Sequence, residues 1–400
     1  VTLRSLQVLA SLVACLCLLS CNESPSEVGS DLSPGIDSLF TLSSIDVPSL
    51  IASTETVEAQ RPIFNSTFFF LGKSAQAEAR SFIEFINYPS LGNSSDWSVL
   101  SSELLLHPLD YRFGDSTNTS FGFDVHELDR LWDPSITWDS VWNAADVSTY
   151  YSPASPKICS FRGQITNTDT VVALPFDVAF TKQMLIRGAD STLRGQLFGL
   201  VVLPTVSSHV RLFRNLQTGN QIMRLRVVIQ HRDSSEPDTT LLESAVACFV
   251  KTPKAAAGTL FTQGAAQHRL AVDLSVAAIP RNAVILDATL QLTANSAASL
   301  SGSLGPDDVL RATFLPPGAS AAVIYQARKD DASQQFNFRN LAGSLQAILR
   351  SGDSVGRFLV IPDDFREQFR VNLTGFHPID APIQLRPRLS VVYAIPRLNP

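Results

Sequence analysis

The residues with the most chemical potential lie between Trp132 and Tyr151. Trp132, Trp138 and Trp142 alternate with Asp133 and Asp139, and Tyr150 and Tyr151 follow beside a Ser/Pro loop. Indole faces stack on the CH-rich faces of pyranose rings and carboxylates accept hydroxyl bonds, so these residues are candidates for a carbohydrate platform. The same side chains also suit an interior. The reading adopted is that Trp132 and Trp138 plug one end of a sandwich, with Asp133 opening a turn before Pro134. An exposed Trp142, flanked by both tyrosines around a groove, would reverse it. Arg224, Arg226, Arg386 and Arg388 form a second candidate, because guanidinium groups on a strand face meet acidic polysaccharide bidentately.

Other reactive groups are scattered. Asp124, His126 and Glu127 are the only compact acid/His set, and strand alternation sends Glu127 to the face opposite the other two. The six histidines have no HExxH or metal spacing, and GxSxG, Walker and GxGxxG motifs are absent. The pairs Asp307 with Asp308, Asp330 with Asp331, and Asp363 with Asp364 have the hard oxygens that calcium takes, but none lies in an EF-hand-like loop, so they read as solvated turns. No catalytic residue, cofactor or metal is therefore expected.

The N-terminus reads as an address. Arg4 precedes an apolar run from Val8 to Leu19, shorter than the about 20 residues a membrane helix needs, as in a signal peptide. Leu18, Leu19, Ser20 and Cys21 resemble a bacterial lipobox, which implies cleavage after residue 20 and lipidation of Cys21, with the membrane as a partner. Asn22 in place of Asp favours the outer membrane or cell surface. With Cys15, Cys17 and Cys21 so assigned, Cys159 and Cys248 remain, either as free buried thiols or as a disulfide.

Composition narrows the function classes. Of 400 residues, 45% are hydrophobic and 17% charged, which excludes a wholly disordered chain. Lys plus Arg number 31 against 37 Asp plus Glu; removing Arg4 with the signal leaves 30 − 37 = −7. That balance, with no basic block, argues against nucleic acid. Residues 21–38 read as a flexible tether, 39–230 as one β-sandwich domain, 231–239 (HRDSSEPDT) as a linker, and 240–396 as a second domain.

Both halves carry one pattern. Arg80 maps to Arg269 (269 − 80 = 189) and Leu104 to Leu290 (290 − 104 = 186). Phe176, Phe180 and Met184 in one half, and Phe338, Leu341, Leu345 and Leu349 in the other, have helical spacing. Each set precedes a strand ending in Pro, GLVVLP to Pro204 and FLVIP to Pro362. Each half is expected to close on an alternating strand: Met223, Leu225, Val227 and Ile229, then Ile383, Leu385, Leu389, Val391 and Tyr393. Short strands with frequent turns predict an all-β fold of two tandem antiparallel jelly-roll-like sandwiches, each with one short helix.

Gly72-Lys73, Arg80-x-Phe-x-x-Phe, the strand VLSSELLLH, the segment Phe121 to Trp142, and the ending Arg386-Pro-Arg-Leu-Ser-Val-Val-Tyr393 together resemble the DNRLRE-type β-sandwich domains of bacterial surface proteins. The start of the mature chain is similar to Bacteroidetes-type lipoproteins. The second half lacks the Trp segment. The resemblance implies a module like those that bind carbohydrate, some of them alginate-type polysaccharides. The expected function is a lipid-anchored, non-enzymatic envelope protein that binds polysaccharide or surface matrix. The alternative is an accessory subunit of an envelope protein assembly.

Overall fold

The computed structural model describes residues 36–58, 62–64, 66–115, 117–143, 145–215, 222–252, 258–265, 268–363 and 369–396. The expected signal, Cys21 and most of the tether lie outside these residues. The chain begins with β1 (Ile36–Ser43) and β2 (Ile51–Glu58). It continues through β3 (Ile63–Phe64), β4 (Phe68–Lys73), β5 (Glu78–Ile86), β6 (Trp97–Leu106), β7 (Pro108–Gly114) and β8 (Ser120–Glu127). A four-residue helix α1 (Trp138–Val141) precedes β9 (Cys159–Gln164), β10 (Val172–Pro175) and helix α2 (Val178–Ala189). Next come β11 (Leu200–Pro204), β12 (His209–Arg214), β13 (Arg224–His231) and β14 (Asp238–Lys251). The last third holds β15 (Leu260–Gln263), β16 (His268–Ser275), β17 (Val284–Thr293), β18 (Val309–Phe314), β19 (Val323–Asp330) and β20 (Gln335–Phe338). Helix α3 (Ala342–Ser351), β21 (Val355–Pro362), β22 (Leu373–Phe376) and β23 (Arg388–Pro396) complete it.

The fold is all-β, with two antiparallel sandwiches. In domain 1 one sheet runs β10-β6-β13-β14 and the other β14-β5-β11-β8-β9, with β14 bending from the first into the second at Glu243. In domain 2 one sheet runs β1-β23-β17-β20 and the other β2-β16-β21-β18-β19. In both domains a short pair lies beyond a hairpin, β4 with β12 and β15 with β22. The domain 1 core centres on Phe70, Phe123, Phe213, Leu225 and Val227; that of domain 2 centres on Leu290, Phe336, Phe358, Leu389 and Val391.

The internal repeat is exact in register. Ser81 pairs with Val202, and Leu270 with Val360, so 81 + 189 = 270 and 202 + 158 = 360; the second offset also carries Pro204 to Pro362. Leu104 pairs with Leu225, and Leu290 with Leu389. The helices occupy matching places. Asp177 caps α2 by accepting from Phe180 N at 2.6 Å, and Met184 and Leu185 face inward. Leu345, Ile348 and Leu349 do so from α3, which ends at Gly352 with φ 87°, a conformation that glycine adopts without a Cβ penalty. Phe176 and Phe338 pack in the cores but precede the helices.

The domain boundaries differ from the sequence expectation. His231 to Thr239 is not a linker: it closes the β13–β14 hairpin, in which Ile229 pairs with Asp238. Residues 240–251 therefore belong to domain 1. Conversely, Ile36 to Ser38 form part of β1, and β1 and β2 belong to domain 2, pairing with β23 and β16. Leu50 and Ile51 are buried in the domain 2 core, each stabilising it by about 1.5–3 kcal/mol. Sheet membership depends on which edge a strand reaches, and neighbours in sequence need not share it. The closing strand of the second half is also shorter than its pattern, because Ile383 and Leu385 lie in a turn before β23 and Ile383 is exposed.

Candidate functional site

The Trp segment folds as a lid on the outer face of the domain 1 sheet. Asp133 Oδ1 accepts from Ser135 N at 2.7 Å, forming the expected turn. Thr137 and Ser140 cap α1 reciprocally. Asn143 then holds a second turn through Ala145 N and Val147 N. These local bonds aim Trp142, Trp138, Trp132, Tyr150 and Tyr151 down onto Phe82 of β5, Val201 of β11, and Ala247 and Phe249 of β14. Trp142 is 1% exposed and Tyr151 5%; Trp132, Trp138 and Tyr150 are half-buried. The aromatics thus form a second small core over a sheet face, not the sandwich end expected for Trp132 and Trp138, and its most enclosed members are Trp142 and Tyr151.

At the centre of this lid is Arg80, whose guanidinium lies 4.7 Å from the Trp138 ring centroid and 4.8 Å from that of Trp142. It bonds Glu78 through Nε at 2.7 Å and Asp146 through Nη2 at 2.8 Å. Burial opposes its charge, but Asp146 and Glu78 outweigh that and raise its pKa. Lys251 reaches Asp139 at 2.9 Å across the rim. With its faces and donors occupied by protein, Arg80 is a packing element. It was missed as such in sequence, where it marked only the repeat.

The arginine candidates are not one stripe. Arg224 and Arg226 lie on β13 of domain 1, Arg388 opens β23 of domain 2, and Arg386 precedes it in a turn. Arg226 is paired with Glu103 across the strands, with Nε at 2.9 Å from the carboxylate. Arg224 and Arg386 are half-buried, leaving Arg226 and Arg388 exposed.

The remaining candidates are held by packing and local bonds. Asp124 is buried and bonds Lys157, Ser160 and Arg162; burial pushes its carboxyl up, but these partners hold it below the usual range. His126 packs 6.0 Å from the Tyr151 ring. Cys159 and Cys248 are free and buried, with burial raising their thiols to about 11 and about 12. Asp307 is buried and accepts from Asn372 Nδ2 at 3.1 Å, so it is no solvated turn. Asp330 does hold a turn, through Ala332 N and Ser333 Oγ. Asp364 lies outside the described residues. Among the described residues no group of three His, Cys, Asp or Glu is placed to hold a metal ion, and no helix is long and apolar enough to cross a membrane.

A concave site that sequence reasoning missed lies where the domains meet. Tyr111 of β7 donates to Asn372 Oδ1 at 3.0 Å and accepts from Val371 N at 2.7 Å. Ser303 Oγ donates to Asp110 O at 2.9 Å, and the Phe68 and Phe369 rings are 4.1 Å apart. Gly302 is required there, since a Cβ would come 2.5 Å from the Tyr111 ring. Beside this joint opens a cleft of about 480 Å³, lined by Gln76, Asp115, Asn118, Ser207 and Ser208 of domain 1 and by Leu300 and Ser301 of domain 2. Asp115 Oδ1 accepts from Thr117 Oγ1 at 2.7 Å, which lowers its pKa. Behind the cleft His209 is fully buried, its pKa lowered to about 4 by burial and by Arg211 and Arg112. In sequence these residues are ordinary polar turn residues from segments up to 225 positions apart (301 − 76 = 225), so no local signal marks them.

Searches of family models, curated proteins and solved structures found no match to this chain.

Proposed function

We propose that this is an envelope-tethered binding protein, anchored by lipid at Cys21, that holds a hydroxyl-rich polysaccharide in the cleft between its two sandwiches. The observation that supports this reading is the composition of the cleft. Domain 1 supplies the amides of Gln76 and Asn118, the Asp115 carboxylate and two hydroxyls, and domain 2 adds the Ser301 hydroxyl; sites that fix polar ligands commonly lie at domain junctions. The aromatic platform is withdrawn as the binding surface, because its rings cover Phe82 and Phe249. The resemblance to carbohydrate-binding modules agrees with the ligand class, and the reading is of a binder, not an enzyme.

A glycan array probed with the chain, followed by calorimetry on any glycan retained, tests it. Asn118→Ala and Ser301→Ala, one on each wall, are expected to weaken binding about tenfold each, in line with about 1.4 kcal/mol per lost polar contact. Retention with both variants intact would place the ligand elsewhere. No glycan signal, with a co-purifying envelope protein, would favour the accessory-subunit alternative.

A further inference from the structure

The two domains share a topology but obtain one strand differently. β14 is a single 14-residue strand that pairs first with β13 and then with β5. In domain 2 the same two stretches are β1, which pairs with β23, and β2, which pairs with β16. Register makes the match explicit. Leu225 faces Leu242 of β14, and its counterpart Leu389 exchanges bonds with Ser44, just beyond β1. Arg80 faces Phe249 of β14, and its counterpart Arg269 faces Val57 of β2.

Along the chain, each sandwich body is preceded by one such strand: β1–β2 before β4–β13, and β14 before β15–β23. Each leading strand closes the other body. The chain is therefore two strand-plus-body units, 36–231 and 238–396, that have traded leading strands within one molecule. Ser43 meets Ser390 across 390 − 43 = 347 positions.

We infer that this trade also works between molecules, so that β1–β2 of one chain closes domain 2 of a second copy. The ladder bonds and the burial of Leu50 and Ile51 are the same whichever copy supplies the strand. Closure within a chain is favoured by the effective concentration set by the connection to domain 1 and by the joint of Tyr111 with Asn372 and Val371. That connection is short, β2 ending at Glu58 and β3 starting at Ile63. A reciprocal trade yields a closed dimer, and a one-way trade a head-to-tail chain of copies.

Thr41 and Val392 are paired across β1 and β23, with Thr41 exposed and Val392 half-buried. In chains with Cys15, Cys17 and Cys21 changed to Ser, Thr41→Cys and Val392→Cys are prepared singly and together. The two single variants are mixed, briefly unfolded, refolded at rising concentration and treated with a short bismaleimide. The double variant is expected to close within one chain. The mixture is expected to give a cross-linked dimer absent from either single variant alone, its yield rising on the order of tenfold over a tenfold rise in concentration. No such dimer while the double variant closes normally would overturn the inference, as would a double variant that fails to close.

Discussion

The outer faces of the two matching sheets have been treated in opposite ways. In domain 1, 31 residues separate β8 from β9 (158 − 127), and they fold back to bury Phe82 and Phe249 under Trp142. In domain 2 only eight separate β18 from β19 (322 − 314), and the corresponding face is left to water. It carries a polar network instead: Arg357 Nε bonds Asp273 at 2.8 Å, its Nη2 meets Glu55 at 2.9 Å, and Ser53 Oγ donates to Asp273 at 2.6 Å. Each face has a central arginine between two carboxylates, but the side chain of Arg80 is 6% exposed and that of Arg357 50%. Arg80 and Arg357 are not repeat counterparts, since Arg80 matches Arg269, but one face encloses its arginine in a core and the other leaves its arginine at the surface. The insertion decides which, because an ion pair has different worth under indoles and in water.

The largest loss is expected for Trp142→Ala, which should cost about 3–5 kcal/mol by leaving a cavity over Phe82 and Phe249. Chemical denaturation of the full chain measures it, and a loss under about 1 kcal/mol would show that the lid is not a core. Leu50→Ala comes next, at about 2–5 kcal/mol. Although it lies upstream of domain 1 in the chain, hydrogen exchange should show the lost protection in β2 and β16 of domain 2 first. Loss confined to β4–β13 would contradict the strand assignment.

A third difference is set by pH. His209 has its pKa lowered to about 4 from an ordinary value of 6.5, so the unfolded chain takes up its proton first as the solution is acidified. Its contribution is fully present above about pH 6.5 and is lost as pH falls toward 4, amounting to at most about 3 kcal/mol. His209→Gln should flatten the stability profile across that window; an unchanged slope would mean that other groups set it. The smallest effect is expected for Arg357→Ala, below about 1 kcal/mol as for exposed ion pairs generally, against a markedly larger loss for Arg80→Ala in the same assay. Equal losses would erase the distinction between the faces.

Much of the fold was legible. Alternation located β13 through Met223, Leu225, Val227 and Ile229, all buried, and the Arg80/Arg269 and Leu104/Leu290 offsets fall on strands whose registers the structure repeats. Amphipathic spacing found α2 and α3 because a period of 3.6 residues is a local property. Strand ownership was not legible. HRDSSEPDT has the composition of a linker and of a hairpin turn alike, and β1–β2 carry no mark of the partner more than 200 residues away. The aromatic residues were found, but a sandwich end was expected for Trp132 and Trp138 and all five stood as ligand candidates, since burial and stacking draw on the same side chains; only the fold lays them over a sheet face. The cleft was invisible because Gln76, Asn118, Ser207 and Ser301 become neighbours only once the joint at Tyr111 and Asn372 forms.

Local patterning was enough to set the strand-rich architecture, its twofold repetition, the two helices and the side chains able to bury. These follow from periodicity and turn chemistry, which act over a few residues. Tertiary structure decided which repeat each leading strand completes, which arginine is enclosed and where a concave polar surface opens. Those outcomes depend on pairing and desolvation between segments that no local pattern relates.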